Sequence, residues 1–274
     1  MLLWSESNLL EKRDYSGWKI ALRENIRKRI FKKFDGFWYA GRMAKEFIEK
    51  YAQPDTKYIL VPNLVEEEAY FAANKRSTEE KLKVRDTYNV PEDKILAVCP
   101  ARLSKVKGIP QFLELFSNVN DHVRDNVVII IPGYGELEDV IKQQAKRSGV
   151  DVRLVGFKPQ NEMIDLYSAA DLMLLPSLSD PNPLSCIEAA WAGKALVVSE
   201  HVGNHPELVE NGKNGFVFNY RDSDESIRIL ESAFSQSREW YYSAGQISLE
   251  MARMKYDSAK VVGRIIEETK NMKG

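Results

Sequence analysis

The stretch that decides the fold is Ser177-Leu-Ser-Asp-Pro-Asn-Pro-Leu-Ser-Cys-Ile-Glu-Ala-Ala-Trp-Ala-Gly-Lys-Ala-Leu-Val-Val-Ser199. It follows an apolar run at residues 172–175, carries two acidic residues eight positions apart around a predicted helix start, and turns at a glycine into a second apolar run. Strand, helix and strand in succession are typical of a parallel sheet, and open parallel sheets bind ligands outside the carboxyl ends of their strands. We therefore expect Asp180 and Glu188 to lie at a binding edge.

The same alternation of strands and helices continues through the chain from residue 95. Short apolar runs predict buried strands at residues 95–99, 127–131, 152–155, 172–175 and 195–199. Helical patterns predict helices at residues 109–119, 136–148, 162–170, 184–192 and 206–211. This alternation predicts an α/β fold in which a doubly wound parallel sheet is covered by helices on both faces.

The first 60 residues have a different pattern. They contain a long basic amphipathic stretch at residues 19–34 and two strand candidates, 37–39 and 58–61, which is too little for a complete α/β domain. Pro62 and Asn63, followed by glutamates, predict a connection. We therefore predict three segments, listed in chain order: an incomplete first domain with its linker at 1–63, a Rossmann-like domain at 64–250, and a C-terminal helix at 251–274 that crosses back to the first domain.

Composition argues against nucleic-acid binding, disulfide-rich and membrane-spanning classes of protein. A formal charge of −1 over 274 residues gives no general attraction for a polyanion, so we expect no nucleic-acid partner. Cys99 and Cys186 lie far apart in apolar runs, which predicts reduced core thiols rather than a disulfide or a metal site. The sequence has no run of about 18 apolar residues and no signal-peptide pattern at its start, so we expect a cytoplasmic protein.

A basic loop follows the first predicted strand of the sheet and precedes a helix. Arg102 offers a planar fork suited to phosphate oxygens, Lys107 offers a compact charge, and Gly108 would let the backbone approach a ligand closely. The pattern indicates an anion site at the sheet edge. A solvated basic loop is the alternative.

Glycines mark the ends of two further predicted strands. Gly133 and Gly135 follow one strand, and Gly156 and Phe157 follow the next. The third glycine of the dinucleotide fingerprint is absent, so a tight turn and a phosphate or sugar contact have equal weight at the first pair. Phe157 either contacts a planar base or covers the core.

The segment between the two acidic residues contains Asn182, Pro183, Leu184 and Ser185. Proline is favoured in the first turn of a helix, so the amides after Pro183 would form a free helix N-terminus, which attracts phosphate. Glu188 would lie more than a turn inside that helix, available to ribose hydroxyls, and Asp180 would reach a sugar. In the structural alternative, Asp180 caps the turn and Glu188 pairs with a lysine.

The sequence predicts no metal site. His122, His201 and His205 lack metal-ligand spacing. Asp222 and Asp224 offer two carboxylates, but they precede a predicted helix, and N-terminal capping explains them more simply.

Together, in this order and spacing, these motifs resemble the nucleotide-sugar-binding half of GT-B fold glycosyltransferases of the large retaining family 4. The family's Arg-x4-Lys-Gly motif corresponds to Arg102 with Lys107-Gly108, and its Gly-x-Gly motif corresponds to Gly133 with Gly135. Its Gly-Phe motif corresponds to Gly156-Phe157, and its Glu-x7-Glu motif corresponds to Asp180 with Glu188. A turn at residues 203–207 and the stretch at residues 211–218 complete the match, which extends from about residue 30 to 270.

Two features depart from the family pattern. Asp180 stands where the family has glutamate, and Pro-Asn-Pro at residues 181–183 replaces the common Gly-Phe-Gly. Both changes affect the geometry of the sugar contacts and hence the identity of the donor sugar. Most of the family's first domain, which binds the acceptor, has no counterpart here. The chain therefore resembles the C-terminal, donor-binding half with the tail of the first domain attached.

The resemblance implies a hexosyl or related transferase that moves a sugar from a UDP- or GDP-linked donor to a glycan or lipid-linked acceptor. It implies retention of configuration, a role in surface polysaccharide synthesis and no metal cofactor. The catalytic residues would be Arg102, Lys107 and Asp180. The donor-binding residues would be Gly133, Gly135, Gly156, Phe157, Asn182, Pro183, Leu184, Ser185 and Glu188.

Two other functional classes stay open at this point. One is a nucleotide-sugar-binding module without turnover, and the other is a hydrolase that uses Asp180 and Glu188 as an acid/base pair. The basic stretch at residues 19–34 also suggests peripheral contact with the inner membrane face, with a solvated helix face as the alternative.

Overall fold

The computed structural model describes residues 2–10 and 17–272. These residues form two parallel sheets, one of three strands and one of six, connected by residues 61–66. The predicted segments 1–63 and 251–274 also include residues 1, 11–16 and 273–274, which lie outside the described residues.

The small sheet contains the two strands predicted near residues 37 and 58 and one additional strand. Its order is β1 (Leu2–Ser5), β2 (Gly36–Tyr39) and β3 (Lys57–Leu60), with α1 (Gly17–Phe31) and α2 (Arg42–Glu49) between them. Strand β1 was not predicted, because four residues show too little alternation to be distinguished from a loop. A core of Phe31, Phe37, Phe47, Ile48 and Tyr51 fills the space between this sheet and its helices.

The large sheet confirms the predicted doubly wound architecture. Its strands are β4 (Ile95–Val98), β5 (Val127–Pro132), β6 (Asp151–Gly156), β7 (Leu172–Leu175), β8 (Ala195–Ser199) and β9 (Gly215–Phe218). They lie in the order β6-β5-β4-β7-β8-β9, and every neighbouring pair is parallel. The chain therefore builds one half outward from the centre, returns, and builds the other half, which is the Rossmann order.

Helices cover both faces of the large sheet. They are α3 (Glu67–Phe71), α4 (Thr78–Thr87), α5 (Ile109–Phe116), α6 (Asp121–Arg124), α7 (Glu138–Ser148), α8 (Gln160–Ala169), α9 (Leu184–Trp191), α10 (His205–Leu208), α11 (Ser223–Phe234) and α12 (Arg238–Lys255). The helix predicted at residues 206–211 is wrong in extent, because the chain is already extended at Val209, with φ −122° and ψ 121°.

The central strands bury side chains on both faces. In β4, Ala97 belongs to the core that includes Phe112 of α5, whereas Leu96 and Val98 belong to the opposite core with Leu166 of α8. All four residues of β4 are buried. A strand buried on both faces reads as a continuous apolar run, which is why the sequence revealed it.

Asp171 fixes the amino ends of the two central strands. Its Oδ2 accepts from the Leu96 amide at 2.7 Å and from the Arg85 guanidinium at 3.3 Å, and its Oδ1 accepts from Arg238 at 3.2 Å. Arg85 is buried and also donates to the carbonyl of Ala169 at 3.1 Å. The aspartate is therefore satisfied on both oxygens.

Contacts between distant residues join the small sheet to the rest of the structure. Helix α13 (Ser258–Met272) passes beside β3, where Arg264 donates to the carbonyl of Leu60 at 3.0 Å. Glu207 of α10 accepts from the amide of Arg42, at the start of α2, at 2.5 Å. A carboxylate at a helix N-terminus is favoured by the helix dipole. Burial raises the pKa of Glu207.

Helix α1 corresponds to the predicted basic stretch but does not pack an apolar face on the core. Its buried residue is Phe31 at the end. Trp18, Leu22, Ile26 and Ile30 recur every four residues and are each 45% to 66% exposed. Among the described residues, no helix is long and apolar enough to cross a bilayer.

Gly245 of α12 brings this helix against the turn before β8. A Cβ at Gly245 would lie 2.0 Å from the carbonyl oxygen of Gly193, whereas a Cβ at Gly263 in α13 would meet no atom within 4 Å. We expect Gly245→Ala to destabilise the protein by about 1–3 kcal/mol through overpacking. We expect the control, Gly263→Ala, to stabilise it by up to about 1 kcal/mol through helix propensity. Urea unfolding measures both, and a Gly245→Ala protein as stable as the control would contradict this packing.

Candidate functional site

The site predicted at the sheet edge lies where the strand order reverses, between β4 and β7. The loops that leave these strands are residues 99–108 and 176–183. The carbonyl of Val106 accepts from the amides of Leu178 at 2.8 Å and Ser179 at 3.2 Å, so the two loops are joined by their backbones. We call the space bordered by these loops the switch-point crevice.

Lys107 and Asp180, two of the three predicted catalytic residues, are in direct contact at this crevice. Lys107 Nζ lies 2.5 Å from Asp180 Oδ2, and the Ser177 hydroxyl donates to the same oxygen at 3.2 Å. The side chains of Lys107 and Asp180 are only 19% and 13% exposed. Because water screens this pair less than a surface pair, its attraction is correspondingly stronger.

The backbone of Asp180 connects a third loop, which follows β8, to the crevice. Its amide donates to the carbonyl of His201 at 3.2 Å, and its carbonyl accepts from the Gly203 amide at 2.8 Å. A Cβ at Gly203 would lie 1.8 Å from the carbonyl oxygen of Pro181, so a larger residue would separate the loops. The position of the carboxylate is therefore set by backbone contacts on both sides.

Gly108 lies beside Lys107 and closes the other side of the crevice. Its φ is 64°, in the left-handed region that favours glycine, and a Cβ there would lie 2.3 Å from the carbonyl oxygen of Pro176. The glycine therefore lets α5 begin directly against the loop that follows β7.

Arg102, the third predicted catalytic residue, is exposed, and its side chain has no hydrogen bond or ion pair with any other described residue. Its loop packs on the two glycines after β5. A Cβ at Gly133 would lie 2.0 Å from the carbonyl oxygen of Ala101, and one at Gly135 would lie 2.4 Å from that of Leu103. These glycines are thus required for the close approach of two loops, with or without a ligand contact.

The N-terminus of α9 borders the crevice and has no side-chain cap. Pro183 is the residue before the first turn rather than within it, and Leu184 and Ser185 begin the helix. Asn182 is 9% exposed, and neither polar atom of its side chain has a hydrogen-bond partner within residues 2–10 and 17–272. Buried amides are almost always hydrogen-bonded, so this side chain and the free helix amides together indicate a polar ligand.

Glu188 lies on the second turn of α9 and faces two tyrosines. The Tyr167 hydroxyl donates to its Oε2 at 3.2 Å, and the Tyr70 hydroxyl lies near enough to influence the pKa of the carboxyl. Burial raises the pKa of Glu188, while the two hydroxyls act in the opposite direction. The pairing with lysine that the sequence left open is not what the structure shows: the partners are tyrosines.

Phe157 forms an exposed aromatic pair with Tyr134. The side chains are 70% and 61% exposed, and their ring centroids lie 6.4 Å apart in an edge-to-face arrangement. Gly156, with φ 70°, precedes Phe157 and bridges to Gly133. Phe157 therefore does not cover the core, which was the alternative reading of its sequence position.

Other predictions concern residues away from the crevice. Both cysteines are buried and free, as predicted. Asp222 caps α11, accepting from the Glu225 amide at 2.9 Å, also as predicted. Within the described ranges, no three His, Cys, Asp or Glu side chains are arranged to bind a metal ion.

Sequence reasoning missed several residues that the fold brings to this region. Ser177 and Tyr167 hydrogen-bond the carboxylates of Asp180 and Glu188, and Tyr70 lies near Glu188. Asn8 is 3% exposed and approaches Gly203. Tyr70 and Asn8 come from parts of the chain far from their contacts, so no local spacing could have revealed them. The aromatic partner of Phe157, Tyr134, was visible only as the middle residue of Gly-Tyr-Gly.

Comparisons with known proteins agree with this geometry. The family model described as glycosyl transferases group 1 matches residues 80–246. An amylovoran biosynthesis glycosyltransferase of Erwinia amylovora is 35% identical over 157 residues, which are 54% of this chain and 37% of the relative. A lipopolysaccharide 1,2-N-acetylglucosaminetransferase of Salmonella typhimurium is 27% identical over 229 residues, which are 80% of this chain and 58% of the relative. The chain thus spans between 37% and 58% of the length of these two relatives.

Solved structures share the fold. The sucrose-phosphate synthase of Thermosynechococcus elongatus has a TM-score of 0.77 at 14% identity, covering 99% of this chain and 67% of that one. HepE of Anabaena, solved in complex with UDP-glucose, has a TM-score of 0.76 at 20% identity, covering 98% and 72%. These likenesses establish the GT-B fold. The family model matches more than half of the sequence, and the chain therefore belongs to the glycosyl transferases group 1 family.

Proposed function

We propose that this protein transfers a hexosyl or related sugar from a nucleoside-diphosphate donor to a glycan or lipid-linked acceptor. The observation that carries the proposal is the contact between Lys107 and Asp180 at the switch point, beside the uncapped start of α9. One cation, one carboxylate and free helix amides at a single edge fit a ligand that joins a diphosphate to a sugar. We also propose family 4 membership and retention of configuration.

The leaving diphosphate gains negative charge as the glycosidic bond breaks. In our proposal, Arg102, Lys107 and the amides of Leu184 and Ser185 take up this charge without a metal ion. Arg102 is free to do so because no described carboxylate engages it. Donors that are positioned before the reaction stabilise developing charge more than water does.

The remaining residues would orient the donor. Asp180 is fixed by Lys107, Ser177 and backbone contacts, and we assign it to the sugar. Glu188 would accept from ribose hydroxyls, and the exposed pair of Phe157 and Tyr134 would contact the base. Gly133, Gly135, Gly156 and the polar Asn182 would lie along the donor. A UDP- or GDP-linked sugar has the chemistry that these groups recognise.

The acceptor belongs to surface polysaccharide synthesis in this proposal. Two curated relatives are named for amylovoran biosynthesis and for lipopolysaccharide glycosylation, which supports an enzyme working on a growing surface glycan. We also propose that the enzyme is cytoplasmic. The exposed apolar stripe of α1, flanked by basic residues, would give peripheral contact with the membrane that carries a lipid-linked acceptor.

Replacing Arg102 tests the donor site. We expect Arg102→Ala to weaken UDP or GDP binding by about 1.5–3 kcal/mol, the range for a charged hydrogen bond. Lys105→Ala, which removes an exposed cation from the same loop, is the matched control and should change affinity little. Titration calorimetry measures the affinities, and an unchanged affinity for Arg102→Ala would remove this residue from the site. Donor-dependent sugar transfer, assayed in parallel, separates a transferase from a module that binds without turnover.

We expect Glu188→Gln to affect the stability of the protein and its affinity for the diphosphate in opposite directions. A carboxyl whose pKa is raised by folding contributes stability below its ordinary pKa of 4.5, and this contribution is lost as the pH rises through the folded pKa. At pH 7 we therefore expect the glutamine variant to unfold at the same or a higher temperature than the wild type while binding the diphosphate more weakly. The difference in unfolding temperature should shrink as the pH falls toward 4.5. The exposed control Glu250→Gln should alter neither the unfolding temperature nor the diphosphate affinity. A Glu188→Gln protein less stable than wild type at pH 7 would contradict the inference that the buried, ionised carboxylate costs stability.

The membrane contact has its own test. We expect the protein to sediment with vesicles that contain anionic lipid at low salt, and Trp18→Glu with Ile26→Glu to abolish this, because a charge in the stripe opposes burial in the interface. Ile266→Glu, at an exposed apolar position of α13, is the control. Equal sedimentation of the double variant and the control would exclude α1 as the contact.

A further inference from the structure

A cavity of about 520 Å³ opens at the edge of the large sheet opposite the switch-point crevice. Its wall includes Asp171, just before β7, and Gly193 and Lys194, just before β8, together with side chains of α4 and α12. Small-molecule sites typically measure about 300–1,000 Å³. The cavity is therefore large enough for a ligand, and it lies at the amino ends of the strands, away from the donor site.

The lining of this cavity is strongly basic. Its charged residues are Lys75, Lys81, Arg85, Lys194, Arg238 and Arg253, against a single acid, Asp171. Asp171 already accepts from Arg85 and Arg238. The other four cations have no ion pair with any residue in the described ranges, so the cavity has an excess of positive charge.

Lys194 is the most unusual of these cations. It is 9% exposed, and its ammonium donates to one acceptor, the carbonyl of Ala170 at 3.1 Å. An ammonium has three donors, so two have no acceptor among the residues that the structure describes. Burial lowers the pKa of Lys194 to about 8, the nearby charge of Lys81 acts in the same direction, and the charge of Asp171 acts in the opposite direction. A buried cation without an ion pair is costly to the fold, and a bound anion would offset that cost.

Two further cations are positioned by an aromatic ring instead of a carboxylate. Lys75 Nζ lies 5.1 Å and the Arg253 guanidinium 4.9 Å from the ring centroid of Phe71. Cation–π contacts orient a charge without neutralising it. Both side chains therefore keep their full charge at the cavity.

The backbone around Lys194 is firmly fixed. Asn74 donates to the carbonyl of Trp191 at 2.9 Å and to that of Phe71 at 3.2 Å, which joins α9 to the segment after α3. Gly193, with φ 63°, lies so close that a Cβ there would be 2.2 Å from Asn74 Oδ1. The buried amine is thus presented by a rigid turn.

We propose that this cavity binds a small phosphorylated molecule, with the phosphate on Lys194 and the charges of Lys75, Lys81 and Arg253 around it. Ammonium and guanidinium groups are the side chains that bind phosphate most strongly. The burial of Lys194 favours a compact ligand over a nucleic acid or a bilayer, whose phosphates would remain at the rim. This site is independent of the proposed transferase activity.

Pyrophosphate is the probe for this site, followed by glucose 1-phosphate and inorganic phosphate to distinguish an organic ester from the free ion. Titration calorimetry compares wild type, Lys194→Met, the double variant Lys81→Ala with Arg253→Ala, and Arg102→Ala. The control for net charge is Lys142→Ala with Lys146→Ala on α7. We expect at least about a tenfold loss of pyrophosphate affinity in the first two variants, the effect of one charged hydrogen bond. Arg102→Ala and the control should retain the binding at this site.

The free protein gives a second readout. Without ligand, Lys194→Met should unfold at the same or a higher temperature than wild type, because an apolar side chain replaces an uncompensated buried charge. If pyrophosphate does not bind, or if the Lys81 and Arg253 double variant binds it as well as the charge control does, the proposal is overturned. Loss of pyrophosphate binding in Arg102→Ala alone would likewise assign the anion to the donor site and overturn it.

Discussion

The close approach of three loops at the carboxyl edge is the constraint on which the rest of the site depends. The loops after β4, β7 and β8 are joined by backbone hydrogen bonds to Val106 and Asp180, at separations that exclude a Cβ at Gly108 and Gly203. This packing places Lys107 against Asp180 and leaves the start of α9 uncapped. A change that separated these loops would therefore remove the ion pair and the helix end from the same crevice at once.

Helix α9 connects two chemically different ends of the large sheet. Near its start lie the unpartnered side chain of Asn182 and free amides, and just beyond its end lie Gly193 and the buried amine of Lys194. Both ends carry polar groups that the described residues do not satisfy. Burying such groups costs stability, so a protein that keeps them has a use for them. We assign one end to the donor and the other to a phosphorylated ligand.

The sequence was informative where one segment supplies both the fold and the chemistry. Strands such as β4 are buried on both faces, so they can be recognised in the sequence as continuous apolar runs. The motif residues Lys107 and Asp180 lie in the loops that follow two such strands. Strands β1 and β9 were missed, since β1 has no fully buried residue and β9 begins with a glycine.

Contacts between distant segments were beyond the reach of local patterns. The tyrosines around Glu188 come from α3 and α8, and the cations of the basic cavity come from four separate parts of the chain. Nothing in the spacing of Lys75, Lys81, Lys194 and Arg253 predicts that they meet. Only the order of the strands brings them to one edge.

Hydrogen–deuterium exchange with and without UDP or GDP tests whether the switch-point crevice binds the donor, because it reports which backbone amides a nucleotide protects. We expect slower exchange at residues 102–108 and 180–188, the loops and helix start of the switch-point crevice, with one of the two diphosphates. Protection confined to other segments, or none with either diphosphate, would contradict the assignment of this crevice to a nucleotide-sugar donor.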